Sequence, residues 1–534
     1  MSVKSLTTAT LLFSALFSAT TCFGATLADT RLLDAVKAEN LSAVRAAIAQ
    51  GASIAATDPD GSTALHWAAQ RDNDAIVAAL IAAGAKVDAN TRFSITPLSL
   101  AAMNGNAKIM ARLLDAGADV NSTSSEGQTI LMTAALNGNP EAVKLAIQRG
   151  AKVNTIEPYK GQTATMWAAG EGNAKAIELL VEFGADVKLK SKGGYTAFHF
   201  AVRNRQMEAA KVLLAHGALV NETIPDGTGP LNMAIVNGYF DVASMLLDAG
   251  ADPNQADARG SALHSLTWMR KPGAPWEAAA LAEDPEGPPK QSGNVTALEL
   301  AKKLLEKGAN PNKRLEWKEG RFGKSSGTTK APAGIPLGRH FLSFNGSTPF
   351  YNAARNGDAP LMKLLVQFGA DPKIPNAQGV TPLMAAACLD FYEGETPGPT
   401  TGVPEPERLA AVKLALELGN DINAVTDFGT YELVGDPEFL LKGYPTNFDQ
   451  LQDLGVGDPR FNKMTALYGA ILSHQDSILQ FLIDSGAKLN VKNQAGWTPL
   501  MMTKGVFLAN SFKEFPVAGK MLRDAMAKQG IPVE

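Results

Sequence analysis

Two cysteines in 534 residues are the first scarcity of this sequence. Cys22 lies in an N-terminal stretch that reads as a removable address, which leaves Cys388 as a lone thiol without a disulfide partner even in an oxidising compartment. Packing alone must hold the fold. A dominant charge is missing too. With 49 basic and 53 acidic residues the net charge is −4 and the pI near 6.0, so nothing draws the whole chain to nucleic acid or to an anionic membrane surface. Histidines number six, and none falls in Cys-x-x-Cys-His or His-Glu-x-x-His, nor is there a Cys-x-x-Cys, so metal is disfavoured and no cofactor is expected. "FGKSSG" (322–327) has the Gly-Lys-Ser of a phosphate loop, but Lys318 stands where that loop needs its first glycine. "GPTTGVPEPE" lacks a serine elbow, and no serine, histidine and aspartate set is suggested by spacing. These absences favour a chain that is not an enzyme.

Residues 1–28 carry Lys4, the apolar run "LLFSALFSA" and then small residues, the order of a signal peptide with cleavage after Gly24 or Ala28. The run is too short to span a bilayer in the folded protein. "SATTC" lacks the apolar and small residues that precede a lipidated cysteine. Export, to a periplasm or outside the cell, and no transmembrane span after cleavage are therefore expected.

What the chain has in abundance is self-similarity. A glycine followed by a small residue closes an apolar helical run at Gly51, Gly84, Gly117, Gly150, Gly184, Gly217 and Gly250, 33 residues apart or, once, 34. Each unit runs turn, short helix, polar break and second helix, as in "DPDGST", "ALHWAAQ", "RDND" and "AIVAALIAAG". Thr63, Thr96, Thr129, Thr163 and Thr196 stand where a hydroxyl caps the first helix, and Pro97 follows its threonine where a missing N–H costs nothing. The closing glycine suits the left-handed residue that ends the second helix. Ala68-Ala69 and Ala101-Ala102 allow close helix approach, while Leu113-Leu114, Leu179-Leu180, Leu213-Leu214 and Leu246-Leu247 are placed to fill the space between units. One unit cannot bury these faces; a stack can.

"GSTALHWAA" and "LLDAGADVN" carry the motif Gly-x-Thr-x-Leu-His-x-Ala-Ala followed by Leu-Leu-x-x-Gly-Ala-Asp-x-Asn, and on it the chain resembles exported bacterial ankyrin-repeat proteins. The resemblance implies an all-α repeat fold, an ankyrin solenoid of stacked helix pairs joined by β-hairpin-like fingers. About eleven repeats, caps included, are expected. It implies a structural role for His66, His199 and His264, hydrogen-bonded within the finger network, and a protein partner held on the concave finger and inner-helix surface. His216 and His474 fall at ordinary exposed or helix-terminal positions, and only His340 has no place in the repeat.

Beyond Gly250 the same endings recur at Gly308, Gly369, Gly419 and Gly486, at intervals of 58, 61, 50 and 67, so the repeat is interrupted rather than ended. The expected organisation is an N-terminal capping repeat at 29–59, regular repeats at 60–256, interrupted repeats at 257–495 and a C-terminal cap at 496–534. Interruptions fall near 267–294 and 388–406, each between two helices, and near 313–345 in a finger. A fourth, near 430–463, is a finger insertion or one degraded repeat. The last helix is expected from about Val517 to Lys528.

Aromatic and arginine side chains are the strongest anchors at interfaces. Matching finger positions are Arg92, Phe93, Tyr159, Lys160, Lys190, Lys192 and Tyr195; matching first-helix positions include Arg71, Met103 and Arg203. Trp67 and Trp167 precede Ala-Ala and are expected in the core. The interruptions add Trp268, Trp276 and Trp317 as partner-binding candidates. The second interruption is basic (Lys313, Arg314, Lys318, Arg321, Lys324, Lys330, Arg339), the third acidic (Asp390, Glu393, Glu395, Glu405, Glu407). Such loops pair with one another, present charge to a ligand, or seal onto the repeats. The expected function is a non-enzymatic protein-binding scaffold of the bacterial envelope. Its alternative is a small-ligand or catalytic site built by the aromatic-rich insertions over the later repeats, with Trp276, Trp317, His340 and the acidic loop as its lining.

Overall fold

A computed structural model describes residues 30–270, 293–316, 345–389, 403–427, 462–508 and 511–533. The signal-peptide stretch, most of each interruption, and with them Trp276, Trp317 and His340, lie outside the described residues. The chain forms two compact units, Met1–Lys152 and Val153–Glu534. Their boundary is not marked by the repeat pattern.

In the first unit four helix pairs follow one another: α1 (Arg31–Lys37) with α2 (Leu41–Ala49), α3 (Ala64–Gln70) with α4 (Asp74–Ala82), α5 (Pro97–Met103) with α6 (Ala107–Asp115), and α7 (Ile130–Asn137) with α8 (Pro140–Gln148). Helices of seven to nine residues do not persist alone in water. Here all are stacked, and all but α1 are capped by a side chain. Thr63, Thr96 and Thr129 accept the N–H three residues on, and Asn40, Asn73, Asn106 and Asn139 do the same for the second helices. First helices pack on first helices and second on second, with Ala68, Ala69, Ala101 and Ala102 fully buried between them.

The second unit repeats the scheme with α9 (Ala164–Glu171) and α10 (Ala174–Glu182), α11 (Ala197–Arg203) and α12 (Met207–Ala215), and α13 (Pro230–Val236) and α14 (Phe240–Asp248). The interrupted pairs are α15 (Ala262–Arg270) and α16 (Ala297–Glu306), α17 (Pro349–Arg355) and α18 (Ala359–Gln367), α19 (Pro382–Ala386) and α20 (Glu405–Glu417), and α21 (Ala466–Leu472) and α22 (Asp476–Asp484). The chain then forms α23 (Pro499–Thr503) and α24 (Pro516–Gln529). The first helices from α9 to α23 pack in succession, so the interruptions do not break the stack.

A side-chain ladder records the same continuity. Asn154 Nδ2 donates to the Gly184 carbonyl, Asn221 to Gly250, Asn254 to Gly308 and Asn312 to Gly369, so the asparagine of one ending binds the closing glycine of the next. The last two links, at 2.8 and 2.9 Å, span interruptions and are no longer than the uninterrupted ones at 2.9 and 3.4 Å. Where the fourth interruption falls, Thr426 N donates to Met464 O and Lys463 N to Thr426 O, which closes a finger around it.

Several expectations need correction. Helix α15 continues to Arg270, so the first interruption starts after 270 rather than near 267, and Trp268 is 2% exposed within that helix. It is a core side chain and not a surface anchor. Helix α20 starts at Glu405, so its first two residues lie inside the expected third interruption. In most leucine pairs one member is buried (Leu113, Leu180, Leu213) and the other half-exposed; only Leu246 and Leu247 are both buried. The fingers are turns more than hairpins. Among the described finger residues, strand pairing is confined to the bridges Thr57–Thr63 and Thr123–Thr129 and the short pair β1 (Ala256–Asp257) and β2 (Gly260–Ser261). An unforeseen hairpin, β3 (Val506–Leu508) and β4 (Ser511–Lys513), precedes α24, whose Leu522 and Met526 are buried while Lys520, Arg523 and Asp524 are not.

Candidate binding surface

The finger at 157–162 has one residue more than its counterpart at 58–62, the source of the single 34-residue interval. Glu157 occupies the turn, 3% exposed, and its carboxylate accepts the N–H groups of Tyr159, Lys160 and Gln162 at 2.6, 2.8 and 2.9 Å. Three donors aimed at one carboxylate fix the loop and drive Tyr159 outward, 72% exposed. In the next finger Ser191 N–H bonds the Tyr195 carbonyl and Ser191 Oγ accepts the Tyr195 N–H, with Gly194 at φ +79° making the turn. The two fingers are joined by Lys192 N–H to Lys160 O at 2.9 Å and by the Lys192 ammonium on the Pro158 carbonyl.

Above these fingers lies an aromatic group with one cation. Tyr195 meets His199 edge to face at 6.0 Å between centroids and Phe200 at 5.8 Å, and the Arg203 guanidinium sits 5.7 Å from the Tyr195 centroid and 5.8 Å from that of Phe200. Lys190 pairs with Glu222 at 2.7 Å. Trp167, on α9 beside α11, is half-buried, and its Nε1 has no hydrogen-bond partner. The expected core placement of Trp67 and Trp167 is thus only half met.

In the first unit Phe93 is 52% exposed with the Arg92 guanidinium 4.8 Å from its ring centre, and Arg71 is exposed, 4.0 Å from Glu39. Trp67 is held differently from Trp167. Its Nε1 donates to Asp58 Oδ2 at 2.6 Å, and Lys37 both pairs with Asp58 at 2.9 Å and lies 4.8 Å from the indole centroid.

The histidines of the motif are structural. Thr63 N–H donates to His66 Nδ1, which leaves Nε2–H for the Ile95 carbonyl at 2.9 Å; His199 bonds Thr196 and Glu222 O in the same way, and His264 bonds Ser261 and Ser347 O. Each ties its own finger to the following repeat. Burial pushes the His264 imidazole down to about 4 and lowers His66 and His199 as well, so all three are neutral at pH 7. Asn232 and Tyr468 replace histidine at this place and make the equivalent reach, to Gly260 O and to the Val491 and Trp497 carbonyls.

A family model described as ankyrin repeats (3 copies) matches residues 32–124, 98–191, 165–257 and 294–394, more than half of the sequence. The chain belongs to the ankyrin-repeat family. No curated protein matches it. Ankyrin repeats generally serve as protein–protein interaction scaffolds, and the fold is typically non-catalytic. Among the described residues no group of three His, Cys, Asp or Glu is placed to hold a metal ion, and no helix is long and apolar enough to cross a membrane.

Within this ankyrin chain the structure brings together Tyr159, Lys160, Lys190, Lys192, Tyr195 and Arg203 on the second unit and leaves Arg71, Arg92 and Phe93 on the first. Phe200 is a member that the motif reading missed, although it stands in the column of Trp67 and Trp167. Charged residues at the edges of the interruptions have structural partners. Arg314 binds the Gly346 and Pro375 carbonyls, Lys313 the Asn254 carbonyl, and Glu405 accepts both the N–H and the hydroxyl of Ser477 at the start of α22.

Proposed function

We propose that this ankyrin-repeat chain is a non-enzymatic scaffold that holds a protein partner through the finger and first-helix face of its second unit, in the envelope of a bacterium, periplasmic or secreted. The half-exposed group of Tyr195, Phe200 and Arg203, with the exposed Tyr159 on the neighbouring finger, carries the reading. Rings and guanidinium held against one another present a preordered contact, and ordering side chains is a main cost of association. The order of charge, apolar run and small residues in 1–28 supports export.

Recovery of partners from an envelope extract by the intact protein and by a variant with Tyr159, Tyr195 and Arg203 all changed to Ala tests the surface. The expected outcome is loss of a specific partner with the variant; equal recovery removes this face from consideration. Sequencing the N-terminus of the exported protein tests the address, with Ala25 or Asp29 as the expected first residue.

A further inference from the structure

Among the described residues, the finger pair at 157–162 and 191–195 carries positive charge that is only partly answered by acids. In the finger pair at 157–162 and 191–195 the one acid is Glu157, buried and occupied by three backbone N–H groups, so it does not pair with Lys160. Among the described residues neither Lys160 nor Arg203 has a carboxylate partner, and Lys192 is held only by a carbonyl. Lys190 is already satisfied by Glu222. Beside these cations lie the exposed ring of Tyr159 and the half-exposed rings of Tyr195, Phe200 and Trp167. The surface therefore offers cations and apolar rings together, and Arg203 already lies over two of the rings.

We infer that the segment this surface takes is an extended acidic peptide, with carboxylates meeting Lys160, Lys192 and Arg203 and an apolar or aromatic side chain between them set against Trp167, Phe200 and Tyr195. The inference rests on the scaffold reading above and narrows it to a partner chemistry. Spacing follows from geometry. Packed helices lie about 8–10 Å apart, and an extended chain advances about 3.3 Å per residue, so successive fingers match every third residue of the peptide. A nucleic acid is the weaker match, since the chain is net negative and three cations make no stripe along a phosphate backbone.

The test is fluorescence anisotropy with a labelled peptide of roughly nine residues, aspartate at every third position and Leu or Phe between. Its counterparts carry Asn or Lys in place of Asp, and a single-stranded oligothymidylate serves as competitor. The acidic peptide is expected to bind about tenfold more tightly than the Asn version, to weaken as salt rises, and to lose about tenfold on Arg203→Ala and severalfold on Lys160→Gln or Lys192→Gln. Lys211→Ala, on α12 away from the fingers, serves as the control, and unchanged circular dichroism establishes that each variant is folded. Equal binding of the acidic and Asn peptides, tighter binding of the Lys peptide, or displacement by the oligothymidylate with the same dependence on Arg203 overturns the inference. If no peptide binds while the triple variant still loses its envelope partner, the scaffold reading stands and the acidic chemistry falls; if that partner is retained as well, both fall.

Discussion

Trp67 and Trp167 stand at the same place in the repeat, each four residues after a capping threonine, yet their surroundings differ. In the first unit Asp58 takes the indole N–H of Trp67, Lys37 neutralises Asp58, and the same lysine covers the ring. There Asp58 of the finger, Lys37 of α1 and Trp67 of α3 satisfy one another. In the second unit Glu157 turns back onto its own loop; among the described residues Trp167 keeps an unpartnered N–H and Lys160, Lys192 and Arg203 keep no acid, while Lys190 pairs with Glu222. The two fingers differ in length by one residue, and one is closed on itself while the other faces outward.

The largest expected effect is of pH, because the second unit holds two motif histidines and the first unit one. Burial keeps His264 neutral down to about pH 4, whereas the unfolded chain takes up that proton near 6.5. A folded-state value below the unfolded one means stability is full above about pH 6.5 and falls as pH drops toward 4, by about 3 kcal/mol for this group. His199 adds in the same direction, and His66 does so in the first unit. Hydrogen exchange at pH 7.5 and 5, corrected for intrinsic rates, is expected to show the fingers around His199 and His264 losing more protection than that around His66. His264→Asn, which copies the natural Asn232, is expected to flatten the slope; an unchanged slope assigns it elsewhere.

Next comes Glu157. Glu157→Ala leaves three part-buried N–H groups without their carboxylate acceptor and is expected to lower the stability of the second unit by about 2–3 kcal/mol, read as local loss of exchange protection at 157–196. Asp58→Ala in the first unit removes one indole bond and an ion pair that is partly exposed, and about 1–2 kcal/mol is expected. Equal losses would mean that the added residue does not set the two fingers apart.

Most of the frame was legible because local chemistry repeats with it. Thr63 caps, Gly84 takes a left-handed φ of +85°, and the Ala68-Ala69 pair is buried, each as the residue type demands. The interruptions were legible as excess length but not in their edges. Nothing in Ser265–Arg270 breaks a helix, the first breaker being Pro272, so α15 runs on and buries Trp268. At the surface, sequence position located exposed candidates such as Tyr159 and Phe93 but not their partners. That Lys190 is paired and Lys160 is not depends on Glu222 from another finger, and long-range pairing leaves no local trace. The 34-residue interval did signal Glu157, though only as an irregular count.

The smallest effect is the sharpest probe of the comparison. Trp→Phe removes the indole N–H and some ring area at either site, and both tryptophans are half-buried, so the lost packing is a shared contribution. The hydrogen bond is not shared. Trp67→Phe gives up its bond to Asp58 and is expected to cost about 0.5–1.5 kcal/mol more than Trp167→Phe, which relieves a buried donor of its missing partner. The change at Trp167 is expected within about 0.5 kcal/mol of the native stability by denaturant unfolding. A loss at Trp167 as large as that at Trp67 would show that its indole N–H finds an acceptor in solution, and the finger of the second unit would then be closed on itself like that of the first.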